Sequence, residues 1–129
     1  MISNQSTPYN YKSTIYPVQV TILAGEQISS IQFCGGMTVL GIATDGNFTP
    51  SDITALTSFD EKNFRPLNLC DGQETAVFTM PNLAANNNYG LLVPIFSTYN
   101  SFQLVTSVAQ TDDTVITVIL VPFWQGVHG

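Results

Sequence analysis

The stretch Gly35–Leu67, GGMTVLGIATDGNFTPSDITALTSFDEKNFRPL, decides the fold class of this chain. It contains two short apolar segments, Met37–Ala43 and Ile53–Phe59, joined by Thr44–Asp52, which is rich in turn-forming residues. A charged corner, Asp60–Asn63, follows the second segment. Short apolar runs separated by Gly, Pro, Asn and Asp are typical of antiparallel β-structure. The stretch therefore predicts a strand, a loop, a second strand, a tight turn and a third strand.

The same pattern continues on both sides of this stretch. Val115–Val121 is mostly β-branched and predicts a central strand that is buried on both faces. Turns every 8–12 residues predict an all-β, single-domain antiparallel β-sandwich, jelly-roll-like, with about 8–9 strands. An extended N-terminal arm (1–13) precedes the sandwich domain (14–123), and a C-terminal tail (124–129) follows it. The expected strands are Thr14–Ala24, Ile28–Phe33, Met37–Ala43, Ile53–Phe59, Phe64–Leu69, Thr75–Met80, Tyr89–Thr98, Ser101–Gln110 and Thr114–Phe123.

Several single positions carry local expectations. Pro17 suits the edge or the start of a strand, because proline cannot donate a ladder hydrogen bond. Gly41, inside an apolar strand, indicates a bulge or a close backbone approach. Ser51-Asp52 could cap one helical turn, and Pro81–Asn88 is expected to be a loop. Four phenylalanines at strand positions are expected in the core: Phe33, Phe59, Phe64 and Phe78.

The composition narrows the possible functions. Apolar residues make up 44% of the 129 residues, which is enough for a hydrophobic core. Only 9% of the residues are charged, against about 25% in an ordinary soluble domain, which predicts a neutral surface or one covered by other subunits. The formal charge of −6 leaves Lys12, Lys62 and Arg65 as the strong cations. Three scattered cations argue against binding to nucleic acid or to anionic membranes.

Neither a membrane span nor a signal peptide is expected. The longest apolar runs fall short of the roughly 18 residues that a membrane-spanning helix needs. The first residues, MISNQSTPYNYKST, are polar and lack the apolar region of a signal peptide. We expect a protein that stays in a cytoplasm or leaves it inside a larger assembly. Cys34 and Cys70 could be two reduced thiols, as favoured in a reducing compartment, or one disulfide.

No constellation of catalytic or metal-binding residues is evident. The one histidine, His128, is next to the last residue, and the two cysteines lack the spacing of a zinc site. Asp45 and Asp52 lack the spacing of a calcium-binding EF-hand loop. Asp60 and Glu61 are adjacent in a turn and cannot flank a glycosidic bond as a catalytic pair. The sequence predicts neither an enzyme nor a cofactor or metal site.

Aromatic residues in polar segments are the candidates for partner binding. Tyr9 and Tyr11 lie in the arm, Tyr99 lies in a predicted tight turn, and Phe123 and Trp124 lie at the C-terminal edge. Aromatic side chains on the rim of a β-sandwich can anchor a protein interface or stack on sugars. An alternative is that the arm is a frayed terminus and that these rings only cover the core.

Three runs of the chain resemble a family of short virion proteins of tailed bacteriophages. In that family a G-q-x-x-S turn precedes a strand of the form G-G-x-x-l-x-G-I, and a hairpin of the form f-T-x-x-x-l-T-x-x-S-x-D-x-x-x-f-x-p-l closes the unit. The patterns correspond to Gly25–Ser29, Gly35–Ile42 and Phe48–Leu67, within the runs Ala24–Ser30, Ile31–Ile42 and Phe48–Leu67, which make up about a third of the chain. The last third departs from the pattern, because LLVPIFSTYNSFQLVTSV (91–108) lacks the basic residues that the family often carries there.

The resemblance implies a structural protein of a tailed-phage virion, assembled in the host cytoplasm. The expected role is a capsid cement or decoration protein that binds the outer shell and stabilises contacts between capsid subunits. Its partners would be the major capsid protein and copies of itself, as a dimer or a trimer. The alternatives are a neck, tail or baseplate protein and a carbohydrate-binding module that uses Tyr99 and Trp124 as stacking platforms.

Overall fold

The computed structural model describes residues 15–70, 72–96 and 99–122, and these residues form antiparallel β-strands without a helix. Eleven strands occur in the described ranges. They are β1 (Tyr16–Ile22), β2 (Gln32–Phe33), β3 (Met37–Thr44), β4 (Ser51–Ser58), β5 (Arg65–Pro66), β6 (Asn68–Cys70), β7 (Thr75–Val77), β8 (Met80–Leu83), β9 (Asn88–Phe96), β10 (Ser101–Thr106) and β11 (Thr114–Pro122).

A four-stranded sheet has the order β9-β3-β11-β1. Strand β11 is an inner strand, with Val118 paired to Val18 of β1 on one side and to Ile42 of β3 on the other. Its residues alternate between buried and half-buried. The predicted position of this strand inside a sheet is confirmed. The predicted burial on both faces is wrong, because only one face packs against the core. Pro17 lies on the edge strand β1, as its missing N–H predicts.

Gly41 of β3 lies opposite Gly90 of β9, where the backbones of the two strands approach closely. A Cβ atom on Gly41 would lie 2.6 Å from the backbone oxygen of Tyr89, which is far shorter than any normal contact. The register of β3 also shifts next to this residue, between Ile119 and Leu120 of β11. Both the irregularity and the close approach that an internal strand glycine predicts are therefore present.

A five-stranded sheet contains β2-β10-β4-β5, with β8 also paired to β4. The first half of β4 pairs with β8 and its second half with β5, through Ile53 and Met80 and through Leu56 and Pro66. Strands β6 and β7 form a separate two-stranded hairpin whose six residues are all exposed. The hairpin joins the molecule through the buried residues Leu67 and Phe78, and the N–H of Phe78 donates to the carbonyl of Leu67 at 2.9 Å.

One hydrophobic core is shared by the two larger sheets. The four-stranded sheet supplies fully buried aliphatic residues from β1, β3 and β11, and the five-stranded sheet supplies residues from β4, β8 and β10. The members with the lowest exposure are Val20, Ile22, Ile53, Ile116 and Val118. Because a buried aliphatic side chain contributes roughly 1.5–3 kcal/mol, this shared core holds the two sheets together.

Several sequence-based expectations need correction. The predicted strand Phe64–Leu69 is divided into β5 and β6 around the buried Leu67, and Thr75–Met80 is divided into β7 and β8 around Phe78. The expected number of strands, about 8–9, is therefore too low. Strand β8 also extends into the segment expected to be a loop, Pro81–Asn88. Ser51-Asp52 begins strand β4 and caps no helix.

The core assignment of the phenylalanines is only partly correct. Phe78 is buried as expected, and Phe64 is half-buried. Phe33 and Phe59 are exposed, because each lies at the end of a strand, where a side chain can extend past the sheet. No disulfide joins the two cysteines: Cys34 is buried, whereas Cys70 is exposed on the hairpin.

Candidate interaction surface

Three aromatic residues lie at one end of the two larger sheets. Phe33 ends β2, Phe59 follows β4, and Tyr99 comes two residues before β10 begins. Strand β10 lies between the segments that carry Phe33 and Phe59, because its Ser101 pairs with both Phe33 and Ser58. We call this end of the molecule, with the turns that carry these residues, the aromatic end.

Phe59 and Tyr99 form a ring pair at the aromatic end. Their ring centroids are 4.9 Å apart and the ring planes are tilted by 37°. Tyr99 is half-buried and packs against the core, whereas 70% of Phe59 is exposed. An aromatic ring that is supported on one side and exposed on the other is the arrangement that interface anchors use.

Phe33 is held outward by a turn rich in glycine. The N–H of Met37 donates to the carbonyl of Cys34 at 2.9 Å, and Gly36 has a φ of +78°, which suits the third position of a type II turn. The ring of Phe33 lies over Gly35, where a Cβ atom would be 2.9 Å from the ring. The run Cys34-Gly35-Gly36 therefore leaves room for a ring whose exposed fraction is 60%.

Phe59 is held outward by a turn organised around Asp60. The Asp60 carboxylate accepts hydrogen bonds from the backbone N–H groups of Lys62 and Asn63, both at 2.9 Å, and from the Ser58 hydroxyl at 2.9 Å. The Asn63 side chain donates a further bond at 2.7 Å. These donors, with the backbone amide of Asn63 first, hold the pKa of Asp60 well below its ordinary value of 3.8. The charged turn fixes the backbone on both sides of Phe59.

The aromatic end is also where the described chain begins and ends. Tyr16, next to the first described residue, pairs with Leu120, and the last described residue, Pro122, pairs with Met37 at the start of β3. The predicted partner residues Tyr9, Tyr11, Phe123 and Trp124 lie outside the described residues. The segments that contain them are attached to the same end as Tyr99.

Sequence reasoning missed Phe33 and Phe59 as candidates. Both were interpreted as core residues because they follow apolar strands. A signal was available, since Phe33 directly precedes Cys34-Gly35-Gly36 and Phe59 directly precedes the charged corner Asp60–Asn63. An aromatic residue next to a turn lies where the sheet no longer covers both of its faces.

The opposite end of the molecule is polar. Here the buried side chain of Gln110 accepts hydrogen bonds from the N–H of Thr49 at 2.8 Å and from the hydroxyl of Thr114 at 3.1 Å. Its amide group donates to the carbonyls of Thr49 and Val108. Asp45 accepts hydrogen bonds from the N–H groups of Asn47 and Val115. We call this region the polar end.

Three further observations on the described ranges concern other kinds of site. No group of three or more His, Cys, Asp or Glu side chains there could hold a metal ion. The described part of the chain also has no helix with the length and hydropathy needed to cross a bilayer. An apolar cavity of about 40 Å³ lies in the core, and Ala55 and Phe102 help to line it.

Comparison of the chain with protein-family models, with curated proteins and with solved structures gave no significant match.

Proposed function

We propose that this chain is a structural protein of a tailed-phage virion, a capsid cement protein with a jelly-roll-like β-sandwich fold. The observation that carries the proposal is the aromatic end. Two aromatic side chains, Phe33 and Phe59, are mostly exposed there, and both terminal segments join the molecule at the same place. Exposed aromatic residues at one end of a molecule are typical of a contact site for another protein.

The low charge of the chain supports an assembly role. With 9% charged residues, the surface has few groups that must be stripped of water when another subunit covers them. The turn around Asp60 supports the same role, because it fixes the backbone next to Phe59 before any contact forms. A preorganised anchor loses little conformational entropy on binding.

The proposed mechanism is linkage between binding and assembly. A protein that binds only the assembled shell lowers the free energy of the shell and leaves free subunits unchanged. Many weak contacts repeated by the symmetry of a capsid then add to a large total. The excess of acidic residues would also disfavour adhesion to the packaged nucleic acid.

Co-sedimentation with capsids stripped of this protein tests the proposal. Saturable binding to expanded shells, without binding to free capsid subunits, is expected. A chain lacking residues 1–13 shows whether the arm contributes to this binding. If the full-length protein does not sediment with shells, the cement role is wrong.

The ring pair of Phe59 and Tyr99 also favours a second candidate, a carbohydrate-binding module. An exposed ring backed by a second ring offers a flat platform for a sugar. Binding to a broad glycan array, lost on Phe59→Ala, would favour this function. If the protein binds no glycan on the array but binds tail or baseplate assemblies, a neck, tail or baseplate protein is the favoured function.

A further inference from the structure

Besides the aromatic end, the molecule has a second surface that could bind a partner, a groove of about 500 Å³ between the β6–β7 hairpin, β8 and β9. No residue that lines it is charged. Its volume lies within the range of roughly 300–1,000 Å³ that is typical of binding pockets. Residues that define it are Leu69, Ala76, Val77, Pro81, Tyr89 and Leu91.

The strands beside this groove have free edges. In the described part of the chain β9 pairs with β3 alone and is an edge strand of its sheet. The hairpin pairs with no other sheet there, and its residues Leu69 and Val77 are exposed at 45% and 51%. A two-stranded hairpin is only marginally stable in water, and a free edge next to apolar side chains is a template for an added strand.

We propose that the arm of a second copy of this chain, residues 1–13, adds as a strand along β9 and inserts Tyr9 and Tyr11 into the groove. The two tyrosines are two residues apart, so that in an extended segment both rings project on the same side. Each ring can bury its apolar body in the groove while its hydroxyl stays near the rim. This inference concerns the self-association within the proposed function and needs no capsid.

Charge complementarity favours the arm as the occupant. All 9 acidic residues lie after residue 13, and with the 2 basic residues Lys62 and Arg65 they leave residues 14–129 at −7. Residues 1–13 contain no acidic residue and carry Lys12, which gives the arm a charge of +1. Two copies of the negatively charged remainder of the chain repel each other. The positively charged arm of one copy is attracted to the negatively charged second copy, and this attraction offsets part of the repulsion when the arm occupies the uncharged groove.

The reach of the chain favours a second copy over the same copy. Strand β1, which the arm precedes, and strand β9 are at opposite edges of one sheet, three strand spacings or roughly 14 Å apart. Tyr89 is level with Val18 and so lies three residues, or roughly 10 Å, farther along the strands than Ile15, which makes the straight line between them about 17 Å. Tyr11 is four residues from Ile15 and can lie at most roughly 14 Å from it.

A complementation experiment tests this inference on the full chain. The arm variant Tyr9→Ala/Tyr11→Ala and the groove variant Ala76→Glu are each measured by sedimentation velocity. We expect the wild type to self-associate and each variant to weaken self-association at least tenfold. An equal mixture of the two variants should form a mixed dimer, because one copy supplies an intact arm and the other an intact groove. Thr75→Glu, on the adjacent hairpin residue outside the groove, is the matched control and should associate like the wild type.

Three outcomes would overturn the inference. They are a monomeric wild type, self-association that both variants retain, and a mixture of the variants that stays monomeric. The last outcome would show that each arm acts within its own copy. Failure of this inference can be told apart from failure of the proposed function. A monomeric protein that still sediments with shells contradicts only the binding of the arm to a second copy. A dimeric protein that does not sediment with shells contradicts only the cement role.

Discussion

The two ends of this molecule differ in what they leave unpaired or uncovered: one end satisfies a buried polar side chain, and the other exposes aromatic rings to water. At the polar end, a buried polar side chain, Gln110, has hydrogen-bond partners for both its oxygen and its nitrogen within the same chain. At the aromatic end, two large apolar rings, Phe33 and Phe59, are mostly exposed to water. The buried Gln110 side chain of the polar end is satisfied within one copy, whereas the aromatic end exposes two large apolar rings of the kind that protein contact sites use.

This difference separates residues that stabilise the fold from residues that are available for binding. Hydrogen bonds of the polar end connect distant parts of the chain, such as Asp45 and Val115, which are 70 residues apart. Hydrogen bonds of the Asp60 turn connect only residues 58–63. We therefore expect substitutions at the polar end to reduce stability, and substitutions at the aromatic end to reduce binding.

The largest effect on stability is expected for Gln110→Ala. The change leaves both the N–H and the carbonyl of Thr49 without their side-chain partner, and each unsatisfied group costs about 1–3 kcal/mol. The free energy of unfolding should fall by about 3 kcal/mol in urea denaturation. The exposed Gln19, replaced by Ala, is the control and should change stability by less than about 0.5 kcal/mol. Equal effects of the two changes would contradict the idea that the polar end holds the fold.

Asp45→Ala should have the next largest effect. The carboxylate accepts hydrogen bonds from Asn47 at 3.0 Å and from Val115 at 2.9 Å, and the second bond fixes the start of β11 against the loop after β3. Loss of charge-assisted bonds of this kind costs about 2 kcal/mol. Thermal unfolding measured beside Asp112→Ala, an exposed acidic residue of the same end, provides the check. If Asp45→Ala and Asp112→Ala lower the thermal stability equally, the loss of a negative charge, and not the loss of the Asp45 hydrogen bonds, explains the effect.

The sequence predicted the parts of the fold that depend on local signals. Alternating apolar residues located the strands within a few residues, and Gly41 located a bulge and a close approach. What it could not predict depends on distant contacts. Leu67 and Phe78 divide two expected strands because they turn into a core that is built from both sheets.

The candidate site was predicted less well than the fold. Tyr99 was predicted to bind a partner because it lies in a polar segment. The structure places it at the aromatic end. Phe33 and Phe59 were missed because exposure at the end of a strand depends on which turns lie beside it, and a strand pattern assigns large apolar residues to the core. No pattern in the sequence indicated that these three aromatic residues would lie at the same end, because β2, β4 and β10 become neighbours only in the folded sheet.

Phe59→Ala tests the aromatic end directly. Removal of an exposed ring should leave the free energy of unfolding within about 1 kcal/mol of the wild type, because little buried area is lost. Affinity for stripped shells should fall about tenfold, since truncation of an aromatic anchor at an interface costs more than 1 kcal/mol. Leu23→Ala is the matched control: Leu23 is 58% exposed but follows β1 at the polar end. Equal losses of affinity for both variants would contradict a role specific to the aromatic end.

The smallest effect on global stability, and the most local one, is expected from acid titration of Asp60. Its folded-state pKa is lowered from the ordinary 3.8, so the carboxylate stabilises the turn fully above that pH, and the contribution is lost as the pH falls through 3.8 towards the lower folded-state pKa. Amide hydrogen exchange of Lys62 and Asn63 should therefore accelerate with decreasing pH in this range, relative to the intrinsic rate. Asp60→Asn should remove this pH dependence, while Glu61→Gln, which removes a charge from the same turn, should retain it. If the wild type shows no such dependence, then the carboxylate does not hold the turn, and the outward position of Phe59 must depend on its contact with Tyr99 alone.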